Sequence, residues 1–234
     1  MNTNLPSGFV FLHHIIPDIR FDIRYSDSNN LFGRPLKSYH SNVPICTYQT
    51  AEALKRAQEE FKSFGFCLVI YDAYRPLSAC QDMVNWVKES DLLIDGYSID
   101  IKTRQDFFDQ GYISEKSSHC RGSTVDATII ACDQVLRAPL LTYRRVGEKI
   151  LPWLDDGTCD MGSHFDFMGE QSHTHHLHLS EVQSKNRHFF VSVMQKHGMI
   201  NHAISWVGYP QEWWHFTLEV EPFPNDYFDF PVRS

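Results

Sequence analysis

The strongest constraint on the fold is a helical pattern that runs straight into an unbroken apolar stretch. Ala51, Leu54, Ala57 and Phe61 recur at helical spacing within Thr50 to Ser63, and Gly65 supplies the stop. Phe66 to Tyr71 (FCLVIY) then reads as a short buried strand. Pro76 is tolerated in a first helical turn and opens a second predicted helix through Trp86 and Val87. Ser123 to Ile130 is β-branched and alternating, so it reads as a strand. A helix over Ser184 to Lys196 ending at Gly198, and a last strand over Trp213 to Val220, complete the pattern. Helices and strands mix without a strict βαβ rhythm, which gives an α+β class. No repeat, low-complexity tract or Pro/Gly/Ser linker divides the chain, so one domain over residues 1–234 is the expectation.

Composition removes several functions. Hydrophobic residues make up 42% of the chain, so a packed core is expected and disorder is not. A net charge of −8 argues against a nucleic-acid surface or an anionic-membrane surface, since both want clustered Lys and Arg. Met1 to Pro17 has no basic start and no long apolar run, and His13 and His14 interrupt what apolar character there is. That predicts neither a signal peptide nor a membrane span, and a cytoplasmic protein. The cysteines stand at 46, 67, 80, 120, 132 and 159, without C-x-x-C spacing. Reduced thiols are therefore expected, with no cysteine zinc ribbon or redox motif. Oligomeric state stays open, a homo-oligomer included.

Two segments concentrate metal-ligand chemistry. They are Ser117-Ser118-His119-Cys120-Arg121-Gly122-Ser123-Thr124-Val125-Asp126 and Glu212-Trp213-Trp214-His215. A catalytic zinc wants three protein ligands and one open position, and His119, Asp126 and His215 would supply two imidazoles and a carboxylate. Such an ion stays net positive and brings a bound water to a pKa of roughly 7. Glu212 is then available as a base beside that water. On a helical turn Glu212 and His215 would share a side; on a regular strand they would face apart, so Glu212 would have to precede the strand on a turn or bulge. Arg75, in Tyr71-Asp72-Ala73-Tyr74-Arg75-Pro76 after the buried strand, could stabilise a tetrahedral oxyanion. Each signal alone has a bland reading: His and Asp seven apart are common, Glu-x-x-His occurs by chance, and Arg75 could be a surface ion-pair partner. Their coincidence in one chain carries the specificity.

Ser117-x-His119-x-x-Gly122-x-x-x-Asp126 with Glu212-Trp213-Trp214-His215 resembles the D-alanyl-D-alanine dipeptidases of the VanX type, within the larger group of zinc D,D-peptidases. The resemblance extends over almost the whole chain. It includes Phe9-x-Phe11-Leu12, Asp22-x-Arg24-Tyr25, Phe32-Gly33-Arg34-Pro35, Tyr74-Arg75-Pro76 and Met161-Gly162-Ser163-x-Phe165-Asp166-Phe167. The tail Glu221-Pro222-Phe223-Pro224-Asn225-x-Tyr227-Phe228-Asp229-Phe230-Pro231-Val232 matches as well. The resemblance implies one Zn2+ per chain on His119, Asp126 and His215, with Glu212 as general base and Arg75 steadying the tetrahedral intermediate. It implies dipeptide contacts at Ser117 and Asp166, with Asp166 meeting the ammonium, and pocket-lining aromatics at Tyr25 and Trp213. It implies a compact α+β domain around a central antiparallel sheet flanked by helices, with a small cavity that admits D-alanyl-D-alanine. A closed cavity with an acid for the ammonium rejects acylated peptides, because an unpaired buried carboxylate is costly. Depleting that dipeptide fits either glycopeptide resistance or cell-wall dipeptide recycling.

The chain departs from that pattern at Cys120, where the family more often has serine, and in a longer segment from Ile130 to Asp160. A thiol nucleophile at Cys120 lacks a separate base. The longer segment reads as a surface insertion, with a lid or rim at the cavity as the alternative. Ser172-His173-Thr174-His175-His176-Leu177-His178 reads as an exposed His-rich loop, with a second metal site as the alternative. Other functions on the same residues are a D,D-carboxypeptidase or endopeptidase of peptidoglycan peptides and a non-catalytic zinc-binding module.

Overall fold

A computed structural model describes residues 5–91, 93–146, 148–201 and 211–234. The first four residues of the stretch examined for an export signal therefore lie outside the described residues. The chain opens with strand β1 (Phe9–Phe11), helix α1 (Leu12–Ile15) and strand β2 (Arg20–Phe21). Strand β3 (Ile45–Thr47) leads into helix α2 (Tyr48–Ser63), and strand β4 (Phe66–Asp72) follows. Helices α3 (Leu77–Glu89) and α4 (Arg104–Asp109) precede strand β5 (Thr124–Ala131). Strands β6 (Leu140–Val146) and β7 (Lys149–Asp155) form a hairpin. Helix α5 (Glu181–Lys196) and strands β8 (Met199–Ile200) and β9 (His215–Leu218) close the chain.

The helical spacing within α2 buries Ala51, Leu54, Ala57 and Phe61 completely, and Gly65 takes the left-handed conformation that ends the helix. Phe61 packs against Phe189 and Phe190 of α5, with ring centroids 5.5 and 5.8 Å apart. The apolar run becomes β4, near the middle of a five-stranded sheet ordered β2-β4-β5-β9-β8. Every pair in it is antiparallel except β2 with β4, so the sheet is mixed, not purely antiparallel. The exception arises because β2 and β4 are joined through β3 and α2, a connection long enough to bring the chain back in the same direction.

The thiol expectation is corrected. Cys67 and Cys132 form a disulfide with Cα atoms 5.3 Å apart. The β4–β5 register sets Cys67 opposite Ile130, so Cys132, two residues on, is its diagonal neighbour on the same face. A separation of 65 residues hides that proximity from the sequence. Cys46, Cys80, Cys120 and Cys159 are free thiols.

The long segment from Ile130 to Asp160 holds the β6–β7 hairpin, whose Leu140, Tyr143 and Ile150 face solvent. None of its described residues lines the main cavity, which fits a surface insertion better than a rim of that cavity. No helix among the described residues is long and apolar enough to cross a membrane.

The C-terminal tail packs against β1, the turn that carries His119 and the start of α3. Phe223, Phe228 and Phe230 surround Phe9, and Tyr74 stacks on Phe230 at 4.0 Å. The backbone of Phe228 donates to Cys120 O and accepts from Leu77 N, tying the tail to both the His119 turn and the start of α3. Phe9 also fills the space beside Gly122, which ends a 3-10 turn over Ser118–Arg121 with φ +78°. A Cβ there would lie 2.2 Å from a Phe9 ring carbon. Gly122→Ala is therefore expected to cost about 2–4 kcal/mol in a thermal or denaturant melt, from backbone strain and the displaced ring together. A melt within about 0.5 kcal/mol of wild type, the ordinary range for a harmless surface change, would show that the turn adapts freely.

Candidate metal centre and active site

The centre is built by strand register. Strand β5 pairs with β9 so that Asp126 lies directly opposite His215. On its other side β5 pairs with β4, and an irregularity between Ile70 and Asp72 sets Asp72 opposite Asp126. Asp72, Asp126 and His215 thus form one row across three strands. The turn that Gly122 terminates brings His119 onto the row, and Ser117 caps that turn by accepting from His119 N at 3.3 Å.

His119 Nε2, His215 Nδ1 and Asp126 Oδ1 form a nearly equilateral triangle with edges of 3.3, 3.3 and 3.2 Å. Ligand atoms about 2.0–2.1 Å from a tetrahedral ion lie about 3.3–3.4 Å apart, so the triangle matches a metal's coordination face. Two ring nitrogens and a carboxylate converging in this way share too few protons to satisfy each other, and a cation satisfies all three. The outer ring nitrogens are also engaged. His119 Nδ1 donates to Ala73 O at 2.7 Å, and His215 Nε2 lies 3.2 Å from Ser118 Oγ. Among the described residues this is the only such His/Cys/Asp/Glu group. In the His-rich loop Ser172 and Thr174 are buried, while His175, Leu177 and His178 are exposed.

Glu212 precedes β9 on a turn, as a strand at His215 requires, with Oε2 3.6 Å from His215 Nδ1. Its carbonyl accepts from Asn201 Nδ2 at 3.1 Å and from Thr174 Oγ1 at 3.4 Å. The His-rich loop therefore helps hold the Glu212 turn, a role its composition does not reveal. Trp213 is the correction among the candidate site residues. It does not line the cavity but is buried beneath it, donating from Nε1 to Ser163 Oγ at 2.9 Å and from its backbone to Ser172 O. The tight turn that leaves Glu212 at the cavity directs the next side chain into the core.

The remaining candidates, Arg75, Ser117, Asp166 and Tyr25, share a cavity of about 420 Å³ with Glu212 and the triangle. Asp166 has φ +61°, a left-handed backbone that Asp tolerates better than most residues, and accepts from Tyr25 OH at 3.0 Å. Asp72 carries no role in the sequence analysis, although a carboxylate ending an apolar strand is the signal that could have marked it.

Electrostatics follow from four acids enclosed with few cations. Burial, then Asp126 and Asp166, push the Glu212 carboxyl well above its ordinary value. Burial alone would also raise Asp126, but His119 and His215 hold it well below the usual carboxylate range. Burial and the nearby Asp126 push Asp166 up to about 7.

The family profile described as D-ala-D-ala dipeptidase matches residues 6–137 and 151–233. This chain belongs to the D-Ala-D-Ala dipeptidase family. It is accordingly a metallopeptidase, and the family profile passes over the outer part of the hairpin. A D-alanyl-D-alanine dipeptidase of Enterococcus faecium is 35% identical over 97% of this chain and 98% of its own length. Proteins of the same name from Enterococcus faecalis and Streptomyces coelicolor are 32% and 31% identical, each over 97% of this chain and the full length of the relative.

A carboxyl whose pKa rises on folding binds protons more tightly in the folded state. Asp166 therefore favours folding at low pH and opposes it increasingly as pH rises from about 4 to about 7, by about 1.4 kcal/mol per unit. Metal-free Asp166→Asn protein is expected to be more stable than wild type at pH 8 by about 2–4 kcal/mol, with a smaller gap at pH 5. Melts of both proteins at the two pH values check this, and coincident melts at pH 8 would contradict it.

Proposed function

We propose that this chain hydrolyses D-alanyl-D-alanine to two molecules of D-alanine, with one Zn2+ held by His119, Asp126 and His215. The carrying observation is the ligand triangle of 3.2–3.3 Å edges with a buried acid, Glu212, beside it in the same cavity. A bound zinc supplies an acidified water and polarises the peptide carbonyl. Glu212 takes the proton of the attacking water and hands it to the departing amine; burial, Asp126 and Asp166 raise its carboxyl above the ordinary value and so strengthen it as a proton acceptor. Arg75 stabilises the negative charge that develops on the carbonyl oxygen. Asp166, with Tyr25 donating to it, meets the substrate ammonium, and Ser117 contacts the dipeptide.

The buried Asp166 supports a free dipeptide over a longer peptide. An N-acylated substrate would set a neutral amide against this acid and leave it unpaired. The whole chain acts as one catalytic domain, with a small molecule as its partner. A cytoplasmic location is part of the proposal; the Cys67–Cys132 bridge weighs against it, because disulfides persist mainly in oxidising compartments.

D-Alanine release is the test. Rapid, chelator-sensitive release from D-Ala-D-Ala, without turnover of N-acetyl-D-Ala-D-Ala or L-Ala-L-Ala, is expected. Comparable turnover of the acylated substrate would indicate a carboxypeptidase, and no hydrolysis by zinc-loaded protein would overturn the enzyme assignment. Glu212→Ala is expected to retain zinc while losing at least about 10²-fold in kcat, the scale of a general base. Near-normal kcat in that variant would overturn the base assignment.

A further inference from the structure

We propose that Asp72 is the positioning residue that aims Arg75 into the cavity, with Tyr39 holding Asp72 in turn. This inference rests on the reading of Arg75 as the oxyanion stabiliser.

A guanidinium can be useful to an oxyanion only if its plane is fixed before charge develops. Arg75 has five N–H donors on a long side chain, so something must choose their direction. Asp72 Oδ2 accepts from Arg75 Nε at 2.9 Å. That bond engages the one donor on the inner edge of the fork and leaves the two terminal nitrogens to point outward. Nη2 lies 3.6 Å from Asp126 Oδ2, and the guanidinium carbon sits 4.9 Å from the centre of the Tyr25 ring. Nη2 thus faces the candidate metal ligands, while Nη1 lies 3.7 Å from the sulfur of Met83, which lines the same cavity.

The other oxygen of Asp72 is engaged as well. Tyr39 OH donates to Oδ1 at 2.6 Å, and both residues are buried. Tyr39 is fixed by the tail, whose Val232 forms a β-bridge with it. Position along the chain completes the arrangement: Asp72 ends β4, Arg75 lies three residues on, and Pro76 rigidifies the turn. A fully buried carboxylate is costly, and replacing such an ion pair with apolar groups is often harmless to stability. The pair's geometry serves Arg75 specifically. Asp72 Oδ2 is also 3.6 Å from His119 Nδ1, but that nitrogen already donates to Ala73 O at 2.7 Å. His119 is therefore oriented without Asp72.

The test uses Asp72→Asn, which keeps shape and removes charge, in wild-type and Arg75→Ala backgrounds. In the wild-type background kcat is expected to fall about 10²-fold, the scale of one misdirected oxyanion donor, with KM changed less than about threefold. Affinity for a phosphinate analogue of the tetrahedral intermediate should fall in step with kcat/KM. Zinc content should stay at one per chain. In the Arg75→Ala background the same substitution should lower kcat less than about twofold, since residues acting as a unit are not additive. Tyr39→Phe removes one hydrogen bond without touching charge and is the reserve if Asp72→Asn fails to fold; its expected loss is about 3–10-fold, again only when Arg75 is present.

Wild-type kcat in these variants, an equal loss without Arg75, or loss of zinc would each overturn the proposal, the last by making Asp72 a support for His119. If the wild-type protein releases no D-alanine, the functional reading fails first. The orientation is then read from crystals of Asp72→Asn: a guanidinium turned out of the cavity supports the role of Asp72, and one left in place overturns it.

Discussion

The pairing of β5 with β9 is the constraint on which the rest depends. It sets Asp126 against His215 across nearly 90 residues of chain, and no local structure could do so. Once that register is fixed, the turn ended by Gly122 needs to deliver only one further side chain, His119. Backbone pairing is a rigid way to hold ligands, because a slip of one residue would turn Asp126 to the opposite face. The irregularity in β4 extends the row to Asp72, so the same sheet carries both the candidate ligands and the anchor of Arg75.

Buried charge is the second organising fact. Asp72, Asp126, Asp166 and Glu212 are all 9% exposed or less, around one cavity. Each would be costly alone. Asp72 is matched by Arg75 and Tyr39, Asp126 by two imidazoles, and Asp166 by the Tyr25 hydroxyl. Glu212 is left with a raised pKa, and a proton-transfer group benefits from that state. The cavity is thus held at some cost to stability, a cost that a cation on the triangle and, on the proposed function, a substrate ammonium at Asp166 would offset.

Much of this was legible in the sequence, and the reasons differ by feature. The helix at Tyr48–Ser63 and the strand at Phe66–Asp72 were visible because apolar periodicity is a local signal. His119, Asp126, Glu212 and His215 were visible because two spacings that are each common coincide in one chain, and the family resemblance aligned them. The sequence left two arrangements open for Glu212, a shared helical turn or a position before the strand, and the strand at His215 selects the second. The start of α5 at Glu181 was also written in Ser180 and Gln183, whose reciprocal bonds form a capping box, but the helix was predicted to begin later. The Cys67–Cys132 bridge, the inward turn of Trp213, the support of Glu212 by Thr174 and the anchoring of Arg75 all depend on long-range register or on which way one side chain points. Periodicity and motif carry no information about either.

The most direct test of the centre is anomalous diffraction at the zinc edge from crystals of the zinc-loaded protein. The register-built triangle requires one strong peak about 2 Å from each of His119 Nε2, Asp126 Oδ1 and His215 Nδ1, with Glu212 beside it. A peak confined to the His173 to His178 loop, or no peak at the triangle under saturating zinc, would contradict it.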